Sequence, residues 1–128
     1  MSNPHFDLDL ELGEQGEAVV RAGLTGKVEV KTDRRVHETG NLYIELWQFS
    51  KPDRSDKRPS GLSITEADWW ITTTPSGQGF LAIRTEELKA LIKGGNYKQT
   101  SQPITNSHTN GSIGCLVPVK DLLKHIGF

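Results

Sequence analysis

Apolar and polar positions alternate most cleanly in two short stretches. KVEVKTD, Lys27 to Asp33, sets Val28 and Val30 on one side and Lys27, Glu29, Lys31 and Asp33 on the other. NLYIELWQF, Asn41 to Phe49, opposes Leu42, Ile44 and Leu46 to Tyr43, Glu45 and Trp47. A period of two predicts half-buried strands. The connection from Arg34 to Gly40 is short enough for an antiparallel hairpin that ends at Gly40-Asn41. Upstream, Leu10 to Ala22 predicts a helix, with Leu12, Val19 and Ala22 on an inward side and Glu14, Glu17 and Arg21 on another. Gly13 and Gly16 weaken it by about 1 kcal/mol each, and Gly23 and Gly26 supply its stop and a turn. The polar Met1 to Leu8 reads as a frayed end or a short lead-in strand.

Downstream, Lys51 to Gly61 is a proline-bounded polar loop without a core residue. WITTT gives a third strand near Trp69 to Thr73, Pro75 to Gly79 a turn, and GFLAI a fourth strand at Gly79 to Ile83. Thr85 to Gly95 is the clearest helix: Thr85 as its cap, Glu86 and Glu87 in the first turn, Leu88, Leu91 and Ile92 as its stripe, Gly94 as its stop. Asn96 to Gly114 is a long polar loop of the kind that carries function or motion. The ending GCLVPVKDLLKHI echoes GFLAIRTEELKALI, a strand entering a helix through a short turn. Trp69 and Trp70, consecutive on a strand, face opposite ways; one belongs to the core while the other stacks on a base or covers a helix.

Strand faces must match across a hairpin, so Val28 and Val30 align with Leu46 and Ile44. The simplest such register places Glu29 opposite Glu45 and Lys31 opposite Tyr43, whereas a slip by two residues pairs Glu29 with Tyr43 or Trp47. Directly opposed carboxylates, with Cβ atoms about 4.5–5.5 Å apart, repel unless a cation compensates, and hard oxygen ligands suit Mg²⁺. Lys31, on the same face, is placed to orient a metal-bound water or to stabilise charge building on a phosphate. Glu17 on the preceding helix offers one more acid.

Composition narrows the chemistry. A chain of 128 residues accommodates one domain, residues 1–128. The net charge of −1 provides no global basic field, so nucleic-acid binding must come from a local patch. One cysteine excludes an internal disulfide and a thiolate zinc cage, and fits a reducing compartment. Cys115 reads as a small buried hydrophobe. His5, His37, His108 and His125 lack ligand spacing, and no Gly-rich phosphate loop appears. No apolar run reaches membrane-spanning length, and no signal-peptide pattern opens the chain, so neither insertion nor export is expected.

VEVKTD, Val28 to Asp33, resembles the E-x-K element of the PD-(D/E)xK nuclease superfamily, preceded by a helix carrying Gly16-Glu17. The ordered set of EVKTD, TGNLYIEL, PSGLSITEADWW and a later LVPV is similar to small phage-type nucleases. The likeness covers Leu10 to Thr73. It implies an α+β fold: a central mixed sheet, starting with an antiparallel hairpin and flanked by helices, restriction-endonuclease-like. It also implies Mg²⁺-dependent hydrolysis of DNA phosphodiesters, with Mn²⁺ as substitute, in a host cytoplasm if phage-encoded. By motif match Glu29 is a metal ligand, Lys31 the catalytic lysine and Glu17 the helical acid. The family's separate Asp has no strand of its own here, because only Gly23 to Lys27 separates helix from strand. Glu45, from the hairpin register, or Asp33 takes its place, and Glu45 is favoured.

Each residue also has a plainer role. Glu29 and Lys31 are equally a solvated strand face; Glu17 is a surface acid paired with Arg21; Asp33 bonds its own loop's backbone. Arg34, Arg35, Lys51 and Arg58 are the candidate phosphate contacts, although a polar hairpin tip explains the first two, and Asp53 and Asp56 dilute the field around the others. The reading from another class is a non-catalytic nucleic-acid-binding or phage accessory protein that keeps the nuclease fold. DNA is the expected partner, and a small domain with a limited footprint is a candidate homodimer.

Overall fold

The computed structural model describes residues 4–105 and 110–128, with side chains from residue 10 onward. Helix α1, Pro4–Thr25, leads into strand β1, Val28–Thr32. A single helical turn, α2 (Val36–Thr39), separates β1 from β2, Asn41–Phe49. The two-residue strand β3, Arg58–Pro59, a 3-10 turn at Gly61–Ser63 and strand β4, Trp69–Thr73, follow. The chain closes with β5 (Phe80–Arg84), α3 (Thr85–Gly94), β6 (Gln99–Gln102), β7 (Gly111–Pro118) and α4 (Val119–His125). Both α and β elements are present with a mixed sheet and flanking helices, as the resemblance implies. His108 lies outside the described residues, and the side chain of His5 outside the described side chains.

The strands form two sheets rather than one central sheet, in the orders β1-β4-β5 and β3-β2-β7-β6. The expected β1–β2 hairpin is not formed. β1 runs parallel to β4, with Val28 beside Trp69 and Thr32 beside Thr73. β2 lies antiparallel to β7, pairing Leu42 with Val117 and Ile44 with Cys115, and has β3 on its other edge. Alternation fixes which side chains share a face but not which strand lies alongside. Here Leu42 and Ile44 find fully buried partners, and Val28 and Val30 stay exposed on the outside of the first sheet. The apolar face of β1 is therefore its outer face, and Glu29 and Lys31 share the side on which Trp70 and Thr72 are buried.

One cluster holds the molecule together: Leu42, Ile44, Cys115 and Val117 from the second sheet, Trp70 and Ile83 from the first, Leu62, and Leu88 and Leu122 from α3 and α4. Cys115 is buried as expected. The consecutive Trp69 and Trp70 are both buried on opposite faces, Trp70 in this cluster and Trp69 under the end of α1, where Gly23 lies against its ring. The expected inward side of α1 is not buried: Leu12 and Val19 are exposed, because the helix meets the sheet only near its last turns. Pro4 onward is helical, not a lead-in strand.

Two further expectations change. Thr85 does not cap α3. Arg84 is the residue before the helix, and the Thr85 hydroxyl is buried with no hydrogen-bond partner among the described residues. The polar stretch after Asn96 is not all loop, since β6 pairs with β7 from Gln99–Cys115 to Gln102–Ser112. The sequence echo, by contrast, is structural: Arg84 and Pro118, each joining a strand to a helix, both have φ −59° and ψ 133°.

Candidate functional site

A cleft of about 330 Å³ is lined by the end of β1 and the residues after it (Lys31, Asp33, Arg34, Arg35), by Tyr43 and Glu45 of β2, and by Trp70 and Thr72 of β4. Gln102 of β6 completes it. The two sheets thus meet around a mixed-charge depression next to the E-x-K strand. The Lys31 ammonium lies 3.1 Å from the Glu29 carboxylate and 5.9 Å from the Trp70 ring centre. Both charged side chains are partly exposed, so their attraction is screened and contributes little to stability. The Trp70 indole N–H is buried and has no hydrogen-bond partner among the described residues.

Glu45 owes its position to a backbone irregularity. The β2–β7 register slips between Glu45 and Trp47, a bulge, and such bulges re-aim side chains near functional sites. Glycines make room on both flanks. A methyl at Gly61, whose φ is 53°, would collide with the Glu45 carbonyl, and one at Gly114 with the Ile44 carbonyl. On the same face as Glu45, the Tyr43 hydroxyl bonds Ser112 at 2.8 Å. Burial pushes the Tyr43 phenol up from its ordinary range, against the lowering effect of the Ser112 bond, and the nearby Glu45 charge adds to the rise.

Asp33 is held differently. One carboxylate oxygen accepts the N–H groups of Arg35 and Val36, both at 2.9 Å, and the other accepts Tyr43 N–H at 3.1 Å. It is a loop organiser, the plainer role read from its place before Arg34-Arg35, and it has little capacity left to ligate a cation.

The remaining candidates fall in three places. Glu29 and Glu45 are not opposed: Glu29 lies beside Trp70 and Glu45 beside Gly114, on strands of different sheets. Glu45 lines the cleft, whereas Glu29 adjoins it through Lys31. Glu17 is not brought to the cleft; it stands exposed on α1, 3.9 Å from Arg21. Arg34 and Arg35 line the cleft, the latter 3.6 Å from Glu38. Lys51 and Arg58 do not line it. Arg58 bonds Asp56 at 3.2 Å, and the same carboxylate accepts the Ser50 and Lys51 N–H groups. Desolvation acts against the Asp56 charge, yet the Lys51 and Ser50 bonds together hold its carboxyl below the usual carboxylate range. The loop from Lys51 is therefore organised around its own acid, with Lys57 over Trp47 and Arg54 over Phe49.

Sequence reasoning missed Trp70, Thr72 and Gln102 as cleft-lining residues, because they come from strands whose placement beside β1 and β7 no local pattern encodes. Among the described residues, no group of three or more His, Cys, Asp and Glu side chains is placed to hold a metal ion. The donor set does not fit an all-protein cage. No helix among the described residues is long and apolar enough to cross a membrane. No family model, curated protein or solved structure matches the chain.

Proposed function

We propose that the protein is a metal-dependent DNA nuclease of the PD-(D/E)xK kind, whose site is the cleft between β1 and β2. The observation that carries this reading is the convergence of Lys31, Arg34, Arg35 and Glu45 on one depression beside Glu29. Three cations on a cleft of this size suit a phosphodiester backbone. A carboxylate among them has no use in holding an anion unless it binds a cation or takes a proton. Arg34 and Arg35 grip phosphates on either side of the scissile one, and the Lys31 ammonium faces charge that builds on the phosphorus oxygens as water attacks and the P–O bond breaks. Mg²⁺ held by Glu45 and Glu29 would lower the pKa of the attacking water and neutralise the same charge. Glu17 has no part in this site.

Incubation with single-stranded, duplex and branched DNA, with Mg²⁺, Mn²⁺ or EDTA, tests the proposal. Cleavage is expected with either cation, lost in EDTA, and lost in Lys31→Ala and Glu45→Gln while DNA binding remains. Binding without cleavage of any substrate would overturn it. That result would favour the second reading, a non-catalytic nucleic-acid-binding protein.

A further inference from the structure

Among the described residues β1 is an edge strand, bonded to β4 on one side only. Its ladder direction is fixed at both ends, since Trp69 N–H donates to the Lys27 carbonyl and Asp33 N–H donates to the Thr73 carbonyl. Odd-numbered residues therefore spend their backbone groups on β4, and Val28, Val30 and Thr32 aim theirs at the open edge. An open, regular edge with apolar side chains is a template for another strand. Val28 and Val30 are exposed on the outer face, next to Leu24 and Phe80, which are exposed as well.

We propose that the strand taken up is β1 of a second copy, antiparallel and centred on Val30. The sequence is self-complementary in that register. Val30 meets the partner's Val30 as a hydrogen-bonded pair, and Val28 meets the partner's Thr32. Glu29 then stands opposite the partner's Lys31, and Lys31 opposite the partner's Glu29, as non-hydrogen-bonded pairs whose Cα atoms are about 4.5 Å apart. Shifting the centre by one residue keeps the edge donors facing each other but opposes Glu29 to the partner's Glu29, or Lys31 to the partner's Lys31, which repel. With the Glu29–Lys31 pair inside each chain, the favoured register makes a ring of four charges of alternating sign. The two three-stranded sheets become one sheet of six, and Val30 of each copy covers the other. The partner's Glu29 arrives on the cleft side, about 7–8 Å diagonally from this chain's Glu29, adding an acid that a single chain does not supply. That last consequence rests on the nuclease reading; the pairing does not.

Sedimentation equilibrium of the full chain in EDTA, without DNA, reads the pairing independently of any activity. The parent is expected to pass with rising concentration from a 14.2 kDa species to twice that mass. Val30→Pro removes an edge-facing N–H that β4 does not use, so it should remain monomeric with an unchanged far-UV spectrum. Glu29→Lys, which opposes two ammonium groups, should remain monomeric too. Glu29→Lys combined with Lys31→Glu restores the complementarity and should dimerise again. A parent that is monomeric at every concentration, a Glu29→Lys variant that dimerises like the parent, or a double variant that fails to recover would each overturn the proposal. The charge-swap pair keeps the test decisive if Val30→Pro does not fold.

Discussion

The Asp33 carboxylate accepts the backbone N–H of Tyr43 across ten residues of chain, at 3.1 Å. This bond joins the end of β1 to the start of β2 where no strand ladder does, and with the Arg35 and Val36 bonds it turns the chain into α2. Hydrogen bonds to a charged group contribute about 1.5–3 kcal/mol each at most, and the carboxylate here is half-buried. We expect Asp33→Ala to lower stability by about 2–3 kcal/mol in urea unfolding, with Asp33→Asn in between. Mg²⁺ affinity measured by calorimetry on the folded variant should stay that of the parent, which separates a loop organiser from a metal ligand. Loss of metal binding with stability intact would reverse the assignment.

The bulge at Glu45 depends on two positions that tolerate no side chain. Gly61 combines a left-handed φ of 53° with close approach to the Glu45 carbonyl, and Gly114 sits opposite Glu45 against the Ile44 carbonyl. Backbone strain of this kind costs about 1–3 kcal/mol. Gly61→Ala should therefore destabilise by at least that much, whereas Gly77→Ala, with a similar φ of 66° but open space around it, should cost less. Thermal unfolding of the two variants side by side checks the difference, and equal losses would show that crowding at Glu45 contributes nothing.

How far the sequence could be read depended on whether a signal was local. The β5–α3 and β7–α4 units were legible because each joins an apolar strand to an amphipathic helix, and their shared junction geometry follows from that common plan. β6 was not, since Gln99–Gln102 is a polar edge strand with no apolar alternation. The β1–β2 hairpin failed on a different ground. Both strands are where the pattern puts them, but the pattern carries no information about partners, and β4 outcompetes β2 by bringing Trp70 into the core. Of the cleft's lining, Lys31, Arg34, Arg35 and Glu45 were legible as candidates, but in two separate groups, one catalytic and one phosphate-binding, that also held Glu29, Glu17, Lys51 and Arg58, none of which lines it. The reason given for Glu45 was not, because a bulge and two glycines place it rather than a carboxylate opposite.

Tyr43 provides a spectroscopic probe of the cleft. Burial, and after it the Glu45 charge, raise its phenol above the ordinary value of 10.0, with the Ser112 bond acting in the other direction. A raised folded-state pKa means that the unfolded chain releases the proton first. The group's contribution to stability is therefore complete below pH 10.0 and is lost as pH climbs above it. Ultraviolet titration should show both phenols ionising later in the folded protein than in urea, because burial and the neighbouring Asp121 charge raise Tyr97 as well, and Glu45→Gln should move only Tyr43 back toward the ordinary value. No movement in that variant would place the Glu45 carboxylate away from Tyr43.

The placement of the basic residues separates two groups that look alike in sequence. Arg34 and Arg35 line the cleft, while Arg58 is bound to Asp56 and Lys51 lies on the loop that this acid organises. Each phosphate neutralised on duplex DNA releases counterions and contributes about 0.9 to the slope of log K against log salt. Replacing Arg34 and Arg35 together by Ala should therefore flatten that slope by roughly 1.8 and weaken binding to all sequences alike, because phosphate contacts carry no base information. Replacing Lys51 and Arg58 together should leave the slope near the parent's, since neither lines the cleft. Fluorescence anisotropy with labelled duplex DNA across a salt series measures both. If the loop pair flattens the slope and the cleft pair does not, DNA lies over the β2–β3 loop and the cleft is not its site.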